Sequence, residues 1–186
     1  MLNWVGSRNC KQRIGAGMKE NLIPGLFLWT VGVSLVAIYY LGEFSRPWFN
    51  EIIALKKNYG YGYSAISTCI FGGLIPYLFM QFTGRDPLRG IGSGIIFLAY
   101  WALRGIDVDA FYRLQEMIFG ADVNFQTIVC KVLVDQFVYC VVWASPITAL
   151  FYTWREAGFS LKQWKGNKTW SELFDMILIF TVTTWM

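Results

Sequence analysis

The chain has 186 residues, of which 55% are hydrophobic and only 15% are charged. Its 16 basic and 12 acidic residues give a net charge of +4, an excess too small to indicate nucleic-acid binding. A soluble domain usually carries about a quarter charged residues, and so short a chain has too small an interior to bury this much apolar surface. The composition therefore excludes an ordinary soluble domain and predicts an all-α bundle embedded in the lipid bilayer.

The basic residues at the start of the chain form an N-terminal segment, residues 1–21. Arg8, Lys11, Arg13 and Lys19 stand there against one acid, Glu20. No small-residue cleavage site follows, so we expect the apolar run behind it to be retained as a first span rather than removed with a signal peptide. Organelle-targeting segments are also basic and acid-poor, which leaves the compartment open.

The first predicted span, residues 22–41, contains no charged residue. About twenty residues rising 1.5 Å each cross a hydrocarbon layer of about 30 Å. Pro24 falls in the first turn, where its missing N–H costs little, and Tyr39 and Tyr40 end the span as an aromatic belt would. Residues 48–55 then predict a short interfacial helix.

Small residues recur every fourth position in the second predicted span, residues 63–82. Ser64, Thr68, Gly72 and Pro76 form one stripe, where a neighbouring helix can approach closely. Pro76 should kink the span and free the carbonyl of Gly72. Ordinary packing and a functional kink both remain open. The predicted packing residues of this span are Gly72, Gly73 and Pro76.

The third predicted span covers residues 88–106 and opens with Gly90-x-x-x-Gly94, again a small-residue packing face. Residues 104–126 follow with an amphipathic pattern, which predicts a separate helix on the membrane surface or over the end of the bundle. Its apolar stripe consists of Phe111, Leu114, Met117 and Ile118.

The fourth predicted span, residues 129–154, is longer than one crossing requires. The last apolar run, from residue 176, has only eleven residues and reaches about halfway across a bilayer. A helix ending there would leave carbonyls without partners, so we predict a fragment whose fifth span is cut off. Residues 22–186 thus form one membrane domain with about four complete spans.

Basic residues in the loops predict the orientation. The three segments on the N-terminal side contain ten Lys and Arg residues, and the two on the other side contain five. Basic residues are concentrated on the inner side of membranes, so the N-terminus is expected inside.

A polar strip interrupts the fourth span. Lys131 and Asp135 are four residues apart and share a helix face, and Gln136 and Tyr139 extend it. An ionised Asp at mid-membrane costs about 2.5–3.5 kcal/mol, so it usually faces a bundle interior or a watery cavity. We predict that these four residues line a pore or polar cavity. Alternatively, Lys131 reaches the headgroups and Asp135 lies at the membrane border.

Residue types needed for catalysis and metal binding are scarce. The chain has no histidine, and its four cysteines form no C-x-x-C pair. Asp107-x-Asp109 resembles the metal-binding pair of nucleotide-sugar transferases, but three letters are weak support and no nucleotide domain accompanies them. We predict no metal site, no cofactor and no enzymatic activity.

Two stretches resemble the Mpv-seventeen/peroxisomal-membrane-protein family of small four-span proteins. These are Phe111-Tyr112-Arg113 up to Gly120, and Lys131-Val-Leu-Val-Asp135-Gln136. Glycines of the second and third spans, together with Trp170 and Trp185, suit the same pattern over residues 63–186. The family's C-terminal signature would begin where the chain ends. Val141 stands where the family often has a proline six residues after the Asp.

The resemblance implies a pore or permeability role for small solutes of unknown identity, and no enzyme activity. A non-transporting scaffold, binding partners through residues 104–126 and the glycine faces, is the alternative. Family members occur in the mitochondrial inner membrane, the peroxisomal membrane and bacteria. We favour a bacterial plasma membrane because an added leading span suits it. Self-association into a homo-oligomer also remains open.

Overall fold

Long apolar stretches of this chain form long helices in the computed structural model, which describes residues 10–82, 84, 90–167 and 170–184. The helices are α1 (Cys10–Leu41), α2 (Arg46–Tyr59), α3 (Tyr61–Phe82), α4 (Ile91–Phe119), α5 (Phe125–Glu156), α6 (Leu161–Asn167) and α7 (Trp170–Thr184). A short 3-10 turn, Glu43–Ser45, joins α1 to α2. Within these ranges every regular element is helical, which confirms the predicted all-α class.

Among the described residues, three helices are long and apolar enough to cross a membrane: α3 with 22 residues, α4 with 29 and α5 with 32. At 1.5 Å per residue even the shortest reaches about 33 Å, enough for a hydrocarbon layer of about 30 Å. The predicted first span lies within α1, whose described side chains include a shorter apolar stretch, Trp29–Leu41. That span and the incomplete fifth remain predictions. Residues 1–9 and most of the loop after α3 lie outside the described residues.

The predicted surface helix from Arg104 is wrong as a separate element. Arg104 to Phe119 continues α4 without a break. No proline lies between these residues, and the helix stops only at Gly120, whose φ of +84° is a left-handed conformation that favours glycine. The next helix, α5, begins after Asn124, whose side chain accepts a hydrogen bond of 2.8 Å from the backbone N–H of Thr127.

The chain divides into two compact units. The central unit is Gly32–Ala121, and the terminal unit combines residues 1–31 with 122–186. In the central unit α3 packs against α4, and in the terminal unit the C-terminal half of α5 packs against α7.

Glycines allow α3 and α4 to approach closely. A Cβ added at Gly72 would lie 2.7 Å from the Trp101 side chain, and one added at Gly73 would lie 3.2 Å from it. A Cβ added at Gly94 would lie 3.0 Å from the Tyr77 ring. By contrast, a Cβ on Gly90 would meet nothing within 4 Å, and the carbonyl of Gly90 instead accepts a hydrogen bond of 3.4 Å from the Tyr77 hydroxyl.

Among the described glycines, an added Cβ would meet its nearest neighbour at Gly105, which was not predicted as a packing residue. A Cβ there would overlap the backbone oxygen of Ser64 and lie 2.7 Å from the hydroxyl oxygen of Thr68. Gly105 lies eleven residues after Gly94, which is about three helical turns and therefore the same face. That spacing is a signal that could have identified it.

Two of the long helices contain π-helical segments placed alike in the sequence. Cys69–Leu74 in α3 ends two residues before Pro76, and Asp135–Ala144 in α5 ends two residues before Pro146. In each case the N–H preceding the proline bonds five residues back, from Ile75 to Ile70 and from Ser145 to Cys140. Proline has no N–H and so cannot donate a backbone hydrogen bond within a helix. In both helices the hydrogen bonds just before the proline have the wider π-helical spacing, and Pro76 was predicted to disturb the helix at this place.

Candidate functional site

A buried carboxylate organises the polar cluster of the central unit. Asp109, on α4, is only 5% exposed. Its Oδ2 accepts a hydrogen bond of 2.8 Å from the Ser64 hydroxyl on α3. Its Oδ1 lies 3.4 Å from Nε of Arg113, one turn further along α4, and 3.6 Å from Nζ of Lys56 on α2. A carboxylate at this depth is stabilised only when charges and hydrogen bonds compensate it, and these three side chains supply both.

The turn between α2 and α3 shapes this cluster. Gly60 there has φ of +50°, and its N–H donates to the carbonyl of Lys56 at 2.8 Å, ending α2. The Arg113 guanidinium lies over the Tyr61 ring, 4.4 Å from the centroid, in a cation–π contact. A Cβ on Gly60 would lie 3.5 Å from Nη2 of Arg113, so this glycine both makes the turn and borders the arginine.

We call Lys56, Asp109 and Arg113 the charged cluster. Its two cations outnumber its one carboxylate, so it carries one excess positive charge. The acid is buried, while the side chains of Lys56 and Arg113 are 51% and 46% exposed. The buried carboxylate therefore holds two cations whose side chains are half exposed. Exposed cations of this kind can bind an anion.

Asp107 and Asp109 do not act together as a metal-binding pair. Asp107 pairs with Arg104 on α4, whereas Asp109 belongs to the charged cluster. Residues two apart on a helix do not face each other, so the two carboxylates cannot share an ion. The described residues contain no group of three or more His, Cys, Asp or Glu side chains placed to hold a metal.

The predicted polar strip lies on α5 in the terminal unit. Lys131, Asp135 and Gln136 are partly exposed, and Tyr139 is buried at 8% exposure. The Gln136 amide lies 3.4 Å from Oδ2 of Asp135, close to the limit of a hydrogen bond. Asp135 begins the π-helical segment, so the wider turn changes the angular spacing between Asp135 and Tyr139 from that of an α-helix. Asp135 and Gln136 are thus together at the surface, while Tyr139 faces the interior.

The terminal unit also has a polar interior that the sequence reasoning missed. Thr153, 1% exposed, accepts a hydrogen bond of 2.9 Å from the Trp164 indole N–H and donates one of 2.8 Å to the carbonyl of Leu150. Arg155 and Ser145 are also buried on α5, at 6% and 2% exposure. Ser145 and Thr153 lie within the predicted fourth span, where a single hydroxyl side chain gives no sign of burial, and Arg155 follows the predicted end of that span.

Trp164→Phe should test whether this interior holds the turn after α5. The change removes the N–H that Thr153 accepts and keeps most of the aromatic surface, so we expect a loss of about 0.5–1.5 kcal/mol in unfolding free energy. Thermal unfolding in detergent measures it, with Trp48→Phe as control because that tryptophan is 66% exposed. Equal unfolding temperatures for the two variants would contradict the role of the hydrogen bond.

The chain matches no protein-family model, no curated protein and no solved structure. Kinship with the Mpv-seventeen/peroxisomal-membrane-protein family therefore stays a prediction from the residues quoted above. Phe111, Tyr112 and Arg113 lie on α4, which ends at Gly120, and the Lys-x-x-x-Asp-Gln sequence lies on α5. Trp185 and the side chain of Trp170 lie outside the described residues.

Proposed function

We propose that this protein is a multi-pass membrane protein that lets small solutes permeate along the polar strip of α5, with its N-terminus on the inner side. The observation that carries the proposal is the surface of the three long helices, which exposes large apolar side chains. Phe71 and Phe79 on α3 are 71% and 60% exposed, and Ile95 and Leu103 on α4 are 60% and 65% exposed. Lipid is the surrounding that accommodates such surfaces at the lowest cost.

The position of the polar strip supports a permeation role. Asp135 is the eleventh residue of α5, about 15 Å from its start, and apolar residues lie before Asp135 and after Gln136 in the sequence. A carboxylate at that depth costs about 2.5–3.5 kcal/mol unless polar groups or water surround it. Asp135 and Gln136 are partly exposed within the chain, so water or a solute in a path along α5 can contact them.

Asp135→Asn tests this role by solute flux into proteoliposomes. The change removes the charge and keeps the shape, so we expect the flux of charged small solutes to fall at least several-fold, because a positioned charge selects ions along a narrow path. Asp122→Asn is the matched control, since Asp122 lies exposed between α4 and α5. Wild-type flux from the Asp135 variant, or no flux from the wild type, would defeat the proposal.

A scaffold that binds partners is the second candidate, and one feature of α4 favours it. Leu114, Met117 and Ile118 near its C-terminal end are 47%, 77% and 63% exposed, an apolar stripe that a partner helix or a second copy of the chain could cover. Cross-linking that recovers a stoichiometric partner, from a protein without measurable flux, would support the scaffold over the channel.

A further inference from the structure

The charged cluster lies where a membrane border is expected in the central unit. Lys56 and Gly60 immediately precede α3, and Asp109 follows Ile91, the start of α4, by eighteen residues or about 27 Å of helix. Three tyrosines close in the sequence to the cluster residues, Tyr59, Tyr61 and Tyr112, are 67%, 42% and 50% exposed. Tyrosines are enriched at membrane interfaces, so the residues of α3 and of α4 around the charged cluster both indicate a membrane border there.

The two cations converge on one point. Because Lys56 Nζ and Arg113 Nε lie 3.6 Å and 3.4 Å from the same oxygen of Asp109, the two nitrogens are within about 7 Å of each other. Within the described part of the chain, the partners of Arg113 are Asp109, through Nε, and the Tyr61 ring. Its two NH₂ groups therefore remain to donate to an acceptor outside, and one tetrahedral anion can contact both side chains.

We propose that Lys56 and Arg113 bind the phosphate of an anionic lipid headgroup. Arginine donates to two phosphate oxygens at once, and its stacking on Tyr61 holds the fork in place. The buried carboxylate positions both cations and leaves the cluster one positive charge to attract the lipid. This site is separate from the polar strip of the terminal unit and does not depend on solute permeation.

A lipid fits this position better than a free anion. Ile66, five residues into α3 from Tyr61, is 64% exposed, and Ile106, one turn before Asp109, is 38% exposed. Apolar surface therefore continues from the cations along both spans, where acyl chains would lie. Headgroup and chains would contact the protein together, which a dissolved phosphate cannot do.

Lipid binding to the full chain in detergent, followed by native mass spectrometry, tests the proposal. The probes are phosphatidylglycerol and phosphatidylcholine with identical acyl chains. Asp109→Asn retains both cations, and the triple variant Lys56→Gln/Asp109→Asn/Arg113→Gln retains neither. Both variants have an uncharged asparagine at position 109, so they differ only in the two cations. Lys57→Gln is the control for a neighbouring exposed lysine that takes no part in the cluster.

We expect the wild type to prefer phosphatidylglycerol, and Asp109→Asn to bind it at least as tightly. The triple variant should bind it about thirty-fold more weakly, since each cation near an anionic surface contributes roughly a factor of five. Phosphatidylcholine binding and the Lys57→Gln variant should change less than two-fold. Should the triple variant not fold, Asp109→Asn/Arg113→Lys replaces it, with an expected loss of about five-fold from the missing fork.

Three results would overturn the proposal. One is a wild type without preference for phosphatidylglycerol. Another is undiminished binding by the variant that lacks both cations or, in its place, by the Arg113→Lys variant. The third is full displacement of the lipid by millimolar inorganic phosphate, because the site would then take the free anion and not the lipid.

Discussion

Gly105→Ala should lower the unfolding free energy of the central unit by about 1–3 kcal/mol, the usual cost of forcing extra volume into a packed interface. The new Cβ would overlap the backbone oxygen of Ser64 and lie 2.7 Å from the Thr68 hydroxyl. A backbone oxygen cannot rotate away as a side chain can, so α3 and α4 must separate locally. Separation would also lengthen the hydrogen bond from Ser64 to Asp109, four residues along α4 from Gly105.

Gly92→Ala is the matched control on the same helix. A Cβ at Gly92 would meet nothing within 4 Å, so alanine there should be neutral or slightly stabilising through its better helix propensity. Thermal unfolding in detergent and denaturant titration compare the two variants. A Gly105→Ala protein as stable as Gly92→Ala would show that the two helices do not pack at this distance.

Local periodicity was enough to predict part of this packing. The four-residue spacing of Ser64, Thr68 and Gly72 is visible in the sequence, and Ser64 and Thr68 do face a helix, at Gly105. Gly105 itself was not predicted, although the predicted third span, residues 88–106, includes it, because it does not continue the four-residue spacing of Gly90 and Gly94. Arg104 was expected to begin a separate helix, whereas it continues α4 and pairs there with Asp107.

The same limit applies to the polar sites. The strip from Lys131 to Tyr139 could be predicted because its residues are neighbours on one helix. In the charged cluster, only the four-residue spacing of Asp109 and Arg113 is local. Lys56 and Ser64 contact Asp109 from 53 and 45 residues earlier in the sequence, which no spacing rule predicts. The π-helical segment that begins at Asp135 was not predicted either, since no residue spacing distinguishes it from an α-helix.

The double variant Lys56→Gln/Arg113→Gln should be the most destabilised of the variants of the charged cluster. It leaves the carboxylate of Asp109, whose side chain is 6% exposed, with the Ser64 hydroxyl as its remaining partner. An uncompensated buried charge of this kind typically costs about 3–5 kcal/mol. Each single change should cost only about 1 kcal/mol, because the other cation still compensates the acid and both cations are about half exposed.

Adding Asp109→Asn to the double variant should restore most of the lost stability. The amide removes the buried charge, and its oxygen can still accept the hydrogen bond from Ser64, so the reason for the destabilisation disappears together with the carboxylate. Unfolding free energies of the single, double and triple variants, measured in one detergent, form a cycle that isolates this coupling. If the triple variant is no more stable than the double, the cations stabilise this unit through their own packing rather than by compensating Asp109, and the carboxylate is not the centre of the cluster.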